Sequence, residues 1–175
     1  MAFQSGVVVL GSALFATPLG FTWIGDNIMI YIISYFIGWI IGITFYFVSP
    51  ENGFINSVLL SHLVFTVGFF GIFNFIGHSL LSEKVAKSIG WISNGFQKEL
   101  GYVSLGIGIC GIFCFFFRDA FWLATIIPLS TFLFGAAFLH IKEIIITKNY
   151  KPGNTWIIIP DFLMPITLIV LWLLK

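Results

Sequence analysis

Long apolar runs separated by short polar intervals set the pattern of this chain. Residues 5–24 carry no charge, and about 20 residues suffice to cross ~30 Å of hydrocarbon at ~1.5 Å rise per residue. No basic stretch precedes this run and Pro18 interrupts it, so it reads as a kinked membrane helix rather than a cleaved leader. Asp26-Asn27 marks a boundary, because both residue types favour helix N-caps. The next uncharged run, Ile28 to Val48, ends at Ser49-Pro50-Glu51-Asn52-Gly53, a turn composition that folds it into a hairpin with Phe54 to Leu81. The polar interval of residues 82–99 follows. In it Val85, Ile89, Trp91 and Ile92 sit among lysines, which predicts a short amphipathic helix at the membrane interface, broken at Asn94-Gly95. Leu100 to Phe117 predicts a fourth helix, closed by Arg118-Asp119. Ala120 to Leu139 predicts a fifth, continuing to about Ile146 and kinked at Pro128. A polar loop, residues 147–156, leads to a last helix over Ile157 to Leu174. The expectation is one all-α integral membrane domain over residues 1–175. It is a transmembrane helix bundle of six helices, or five if residues 5–24 do not span, with a short interfacial amphipathic segment.

Composition agrees with this pattern. Of 175 residues, 59% are hydrophobic and 9% charged, and 22 are Phe. A soluble domain has roughly 25% charged residues, so a water-soluble fold could not cover this much apolar surface. The lipid bilayer is the partner the composition requires. Nucleic acid is disfavoured, because no basic face or arm exists to neutralise phosphates. The sequence names neither a cofactor nor a small-molecule or protein partner.

Charge placement sets the threading. Helix three ends on the side that holds residues 82–99. Helix five returns to that side, and helix six leaves from it. That side carries Lys84, Lys87, Lys98, Lys142, Lys148 and Lys151, against Arg118 and Lys175 on the other. The positive-inside rule then makes loops 82–99 and 147–156 cytoplasmic in a multi-pass protein of the cell membrane.

The same threading gathers His78, Gln97, Glu99, His140, Glu143, Asn154 and Asp161 on one side. Asp161 stands out, since a carboxylate inside the hydrocarbon costs about 2.5–3.5 kcal/mol near the centre and normally faces a partner or a wet cavity. Three readings stay open. The polar residues cap helix ends, as in a structural or partner-binding subunit. Alternatively, His78, Glu99, His140 and Asp161 line a cavity for a small solute or protons, as in a transporter or accessory membrane protein. Or the same four residues hold a metal, with His140 and Glu143 at i, i+3 on one face, as in a membrane-embedded enzyme. No nucleophile accompanies the histidines: Cys110 and Cys114 lie deeper, one turn apart, and read as small buried side chains.

Other motifs point to packing. Gly38-x-x-x-Gly42 lets a helix approach closely, or reflects ordinary glycine tolerance in membrane helices. Gly106-x-Gly108-x-x-Gly111 matches a dinucleotide fingerprint but lacks the preceding strand and soluble context, so its small residues serve helix packing. His62 and Asn74 read as interhelical hydrogen-bond partners.

Gly77-His78, Val85-Ala86, Ile89-Gly90-Trp91 and Phe96-Gln97-x-Glu99-x-Gly101 occur in this order. Gly135-Ala136-Ala137 with His140, Pro152-Gly153-Asn154, and Asp161 with Leu163-Met164-Pro165 follow. Over roughly residues 54–170 this resembles a family of small, uncharacterised multi-pass membrane proteins found mainly in prokaryotes. The chain departs from the family pattern at Asn94-Gly95, where Ser-Pro is expected. The resemblance implies no reaction, but it falls on the residues that the threading gathers.

Overall fold

The structure, a computed structural model, describes the backbone of residues 23–175 and the side chains from Ile28 onward. The run at residues 5–24 therefore lies almost wholly outside the described residues. Six helices follow one another: α1 (Trp23–Val48), α2 (Phe54–Leu80), α3 (Ser82–Ile89), α4 (Gly95–Phe113), α5 (Ala120–Thr147) and α6 (Pro152–Leu173). No strand occurs among the described residues. Among the described residues, four segments are long and apolar enough to cross a membrane: Ile28–Val48, Phe54–Leu80, Ala120–Thr147 and Pro152–Leu173. α4, expected as a span from Leu100, instead begins at Gly95 and takes in Lys98 and Glu99, and it is not among these four. The outer surface is apolar. Ile40, Phe47, Phe116, Ile127 and Phe138 are all more than half exposed, an arrangement suited to lipid and hazardous in water.

α1 does not start at Asp26-Asn27 but runs straight through them. A cap preference of about 1 kcal/mol is too small to interrupt a helix when no Pro follows to force the break. The turn at residues 49–53 forms as expected. Pro50 opens a short 3₁₀ turn, and Gly53 takes φ 76°, where a side chain would be strained.

α1 and α2 then run antiparallel, with small residues at the crossing. A Cβ on Gly42 would lie 2.6 Å from Val58 Cα, and one on Gly38 would lie 2.6 Å from Thr66 Oγ1. The G-x-x-x-G pair is therefore a contact surface. α2 and α4 are closer still. A Cβ on Gly71 would lie 2.4 Å from Gly108 Cα, and one on Gly111 would lie 2.6 Å from the Leu63 carbonyl oxygen. Gly106 meets nothing within 4 Å, so only Gly108 and Gly111 of that motif serve this seam.

α2 is not a regular α-helix. It widens to π turns over His62–Val67 and Ile76–Leu80, the second closed by the Leu81 N–H donating to the Ile76 carbonyl at 2.9 Å.

Two polar systems tie the helices together. Tyr31 Oη donates to Asn74 Oδ1 at 2.9 Å, Asn74 Nδ2 donates to Ser104 Oγ at 3.1 Å, and Ser104 donates on to the Leu100 carbonyl. α1, α2 and α4 are thereby joined through one asparagine. Higher up α1, Thr66 Oγ1 donates to the Ser34 carbonyl at 3.1 Å, so His62 Nδ1, 3.0 Å from the same oxygen, carries the proton and donates to it. Asn74 bonds between helices as expected, whereas His62 bonds Thr66 of its own helix and meets α1 through ring contacts with Tyr35 and Trp39.

Candidate functional site

The polar residues of interest cluster where α2 ends, α3 crosses and α6 begins. α3 is amphipathic, with Val85 and Ala86 buried and Glu83, Lys84 and Lys87 exposed. It ends at Gly90, whose φ of 83° is the left-handed conformation that glycine adopts without strain. The following Trp91 N–H donates back to the Ala86 carbonyl at 2.8 Å. This turn delivers the Trp91 ring onto the His140 imidazole, with centroids 5.2 Å apart and planes 18° from parallel.

Each residue of Pro152-Gly153-Asn154 has a separate task. Pro152 opens α6 at a position where its missing N–H costs nothing. Gly153 lets α6 approach α3, since a Cβ there would lie 2.8 Å from the Ser88 carbonyl oxygen. Asn154, wholly buried, donates through Nδ2 to the carbonyls of His140 (3.2 Å) and Asn149 (3.0 Å). That fixes its amide orientation, so Asn154 Oδ1 faces His140 Nδ1 at 2.7 Å and accepts its proton. The neutral His140 ring thus carries hydrogen on Nδ1, and Nε2 is left with its lone pair. Asn149 completes the junction by donating to the Ile89 carbonyl at 2.7 Å, and Lys151 Nζ donates to the Lys87 carbonyl at 3.2 Å.

Beneath this junction lies a cavity of about 410 Å³. Its walls are mainly apolar, from Phe70 and Phe73 of α2, Phe132 and Leu133 of α5, and Ile157 of α6. His78, His140 and Asp161 all line it. Asp161 is 5% exposed, and its Oδ2 is buried with no hydrogen-bond partner among the described residues. His78 Nδ1 is likewise buried and unpartnered. No Lys or Arg is among the described residues that line the cavity.

The other sequence-selected residues stand elsewhere. Asn94 caps α4 by accepting from the Gln97 N–H at 3.1 Å, and the Gln97 side chain donates to the Ser82 carbonyl at 2.9 Å. Gln97 thus pins α3 to α4. Glu99, two residues and about 200° further round the helix, turns outward and is exposed. Glu143 is half-buried and accepts through Oε2 from Thr147 Oγ1 at 3.0 Å, so it does not share the cavity with His140. Glu99 therefore stands apart from His78, His140 and Asp161. Among the described residues, no three His, Cys, Asp or Glu side chains group closely enough to hold a metal ion.

Sequence reasoning missed Trp91 as a wall of the site and placed it only at headgroup depth. It also missed Tyr31, whose hydroxyl lies inside an apolar run with no local signal of a partner 43 residues away.

Neither curated proteins nor solved structures gave a match to this chain. A family match covers residues 28–175, the whole stretch whose side chains are described, from the start of the α1 span to past the end of α6. The chain belongs to the family of unknown function DUF6790.

Proposed function

We propose that this protein is a multi-pass integral membrane protein that takes up a small solute or protons in the cavity headed by His78, His140 and Asp161. One observation carries the reading: a buried carboxyl group without a hydrogen-bond partner lines a cavity large enough for a small molecule. Small-molecule sites commonly occupy about 300–1,000 Å³, with apolar walls and a few convergent polar groups. An ionisable residue within a membrane-spanning segment that finds no partner in the fold is expected to serve a passing or bound species.

The threading extends the proposal. α4 runs antiparallel to α2 from Gly101 beside Ser79 to Gly111 beside Leu63, so it spans the depth of the bundle although Lys98 and Glu99 lower its hydropathy. Counting α4 and residues 5–24, the chain has six crossings. The end that carries α3 also carries Lys84, Lys87, Lys98, Lys142, Lys148 and Lys151, and by the positive-inside rule it faces the cytoplasm.

The test is cysteine accessibility. Ala136 lines the cavity. Ala136→Cys is placed in a chain whose Cys110 and Cys114 are replaced by Ala and Ser. A membrane-impermeant thiol reagent is then applied to right-side-out and inverted vesicles. Labelling only from the cytoplasmic face is the expected result. Labelling from neither face would show that the cavity takes up nothing from water, and labelling only from outside would reverse the orientation.

A further inference from the structure

We propose that the cavity binds a lipophilic amine, with the ammonium group seated on Asp161 and an apolar body lodged among Phe70, Phe73 and Phe132. This deepens the proposed function and rests on it.

Two buried polar atoms of the lining have no hydrogen-bond partner among the described residues, Asp161 Oδ2 and His78 Nδ1. Asp161 offers its carboxylate, and Oδ2 has no partner. His140 offers Nε2, because Asn154 has taken the proton-bearing Nδ1. His78 has an unpartnered Nδ1. The nearby hydroxyl of Tyr31 is not free to donate, being committed to Asn74. A ligand that pairs with Asp161 brings a hydrogen-bond donor, and next to a carboxylate the fitting donor is a cation.

Charge excludes the opposite class. With no Lys or Arg among the described residues of the lining, an anion would meet Asp161 without compensation. A neutral apolar molecule would seal Asp161 from water and leave it unpaired. A hydrated inorganic cation fits poorly against walls of phenylalanine, which cannot replace its water. An organic cation uses both parts of the site. Its body is buried among the Phe rings, and Tyr31 and Trp91 also line the cavity.

The experiment uses the full chain in lipid nanodiscs and three probes with the same body: phenylbutylamine, phenylbutanol and phenylbutyrate. Binding is measured by equilibrium dialysis, with empty nanodiscs subtracting lipid partition. The amine is expected to bind saturably, about tenfold or more tighter than the alcohol or the carboxylate, in line with a charge-assisted hydrogen bond. Asp161→Asn is expected to weaken the amine about tenfold and leave the alcohol unchanged. Asp161→Glu, which keeps the charge, is expected to retain amine binding and guards against a folding defect.

Gly135→Leu separates the two levels of the claim. Gly135 lines the cavity, and a Cβ there meets nothing within 4 Å, so a side chain can start from this position without a clash. If amine and alcohol bind equally and Gly135→Leu blocks both, the cavity stands and the amine class is overturned. Amine binding that survives Asp161→Asn unchanged overturns the seat. If none of the probes binds saturably, or Gly135→Leu changes nothing, the cavity reading falls and the amine proposal falls with it.

Discussion

The polar groups around Asn74 and those around Asp161 treat their hydrogen-bonding capacity in opposite ways. Around Asn74 the donors and acceptors pass hand to hand, from Tyr31 through Asn74 and Ser104 to a backbone carbonyl. Around Asp161 the carboxylate and His78 Nδ1 find no partner among the described residues. The first system spends its polarity on joining α1, α2 and α4. The second keeps its polarity available. An ionisable group left without a partner in a membrane-spanning segment is a candidate for work other than holding the fold. Asn154 stands between the two. It is fully paired itself, yet it orients His140 toward the open cavity.

This contrast can be broken in four ways. The largest effect is expected at Asn154→Ala, which strands His140 Nδ1 and two carbonyls at once. It should cost about 2–4 kcal/mol, read as a lowered thermal midpoint in detergent. A loss of less than about 0.5 kcal/mol would mean that the junction is not held by this side chain. Next is Asn74→Leu, which leaves the Tyr31 and Ser104 hydroxyls without their partner. A loss of about 1–3 kcal/mol is expected, and steric-trap unfolding in bicelles would measure it.

Asp161→Leu should act in the other direction. It removes an unpaired buried carboxyl and is expected to stabilise the protein by about 1 kcal/mol while abolishing amine binding. A destabilisation as large as that of Asn74→Leu would show that Asp161 belongs to the fold, and the contrast would collapse.

The smallest effect is expected at the opposite end of the bundle. There Asp119 accepts from Lys175 Nζ at 2.5 Å, and this bond and charge hold its carboxyl below the usual range. A depressed folded-state pKa contributes stability above the unfolded value of about 3.9, and that contribution is lost as pH falls through the folded value. The Asp119 side chain is 83% exposed, so screening leaves little of the effect. Melting curves of wild type and Asp119→Asn should nearly superpose at neutral pH and converge fully in acid. A large gap at neutral pH would give this exposed pair a weight that buried groups are expected to hold.

Hydrophobic runs marked α2, α5 and α6 to within a few residues, because crossing a bilayer demands length and apolarity that little else in a sequence imitates. Threading alone put His78, His140 and Asp161 on one side, and the fold places them around one cavity. Rotation about a helix axis was harder to read. Glu99 and Glu143 are at the right depth but face away, and only the anchoring of Gln97 on Ser82 and of Glu143 on Thr147 decides it. Pairings such as Tyr31 with Asn74 join residues from separate helices and leave no periodic trace. Trp91 was readable as an interfacial aromatic, but its stacking on His140 depends on the left-handed turn at Gly90.

The two wide turns in α2 carry a consequence for how this chain tolerates changes in length. Each accommodates one residue more than a regular α-helical turn. Deleting a single residue within 76–80 would let that turn relax to ordinary helix, which keeps every backbone bond and costs little locally. Leu81 and all that follows would then keep their angle about the axis, because the residue removed is the one the wide turn holds in excess. The same deletion in the regular stretch 68–75 would swing them by about 100° and carry α3 off the cavity it now covers. The wide turn at 76–80 thus lets α2 give up one residue without changing the phase between its two ends.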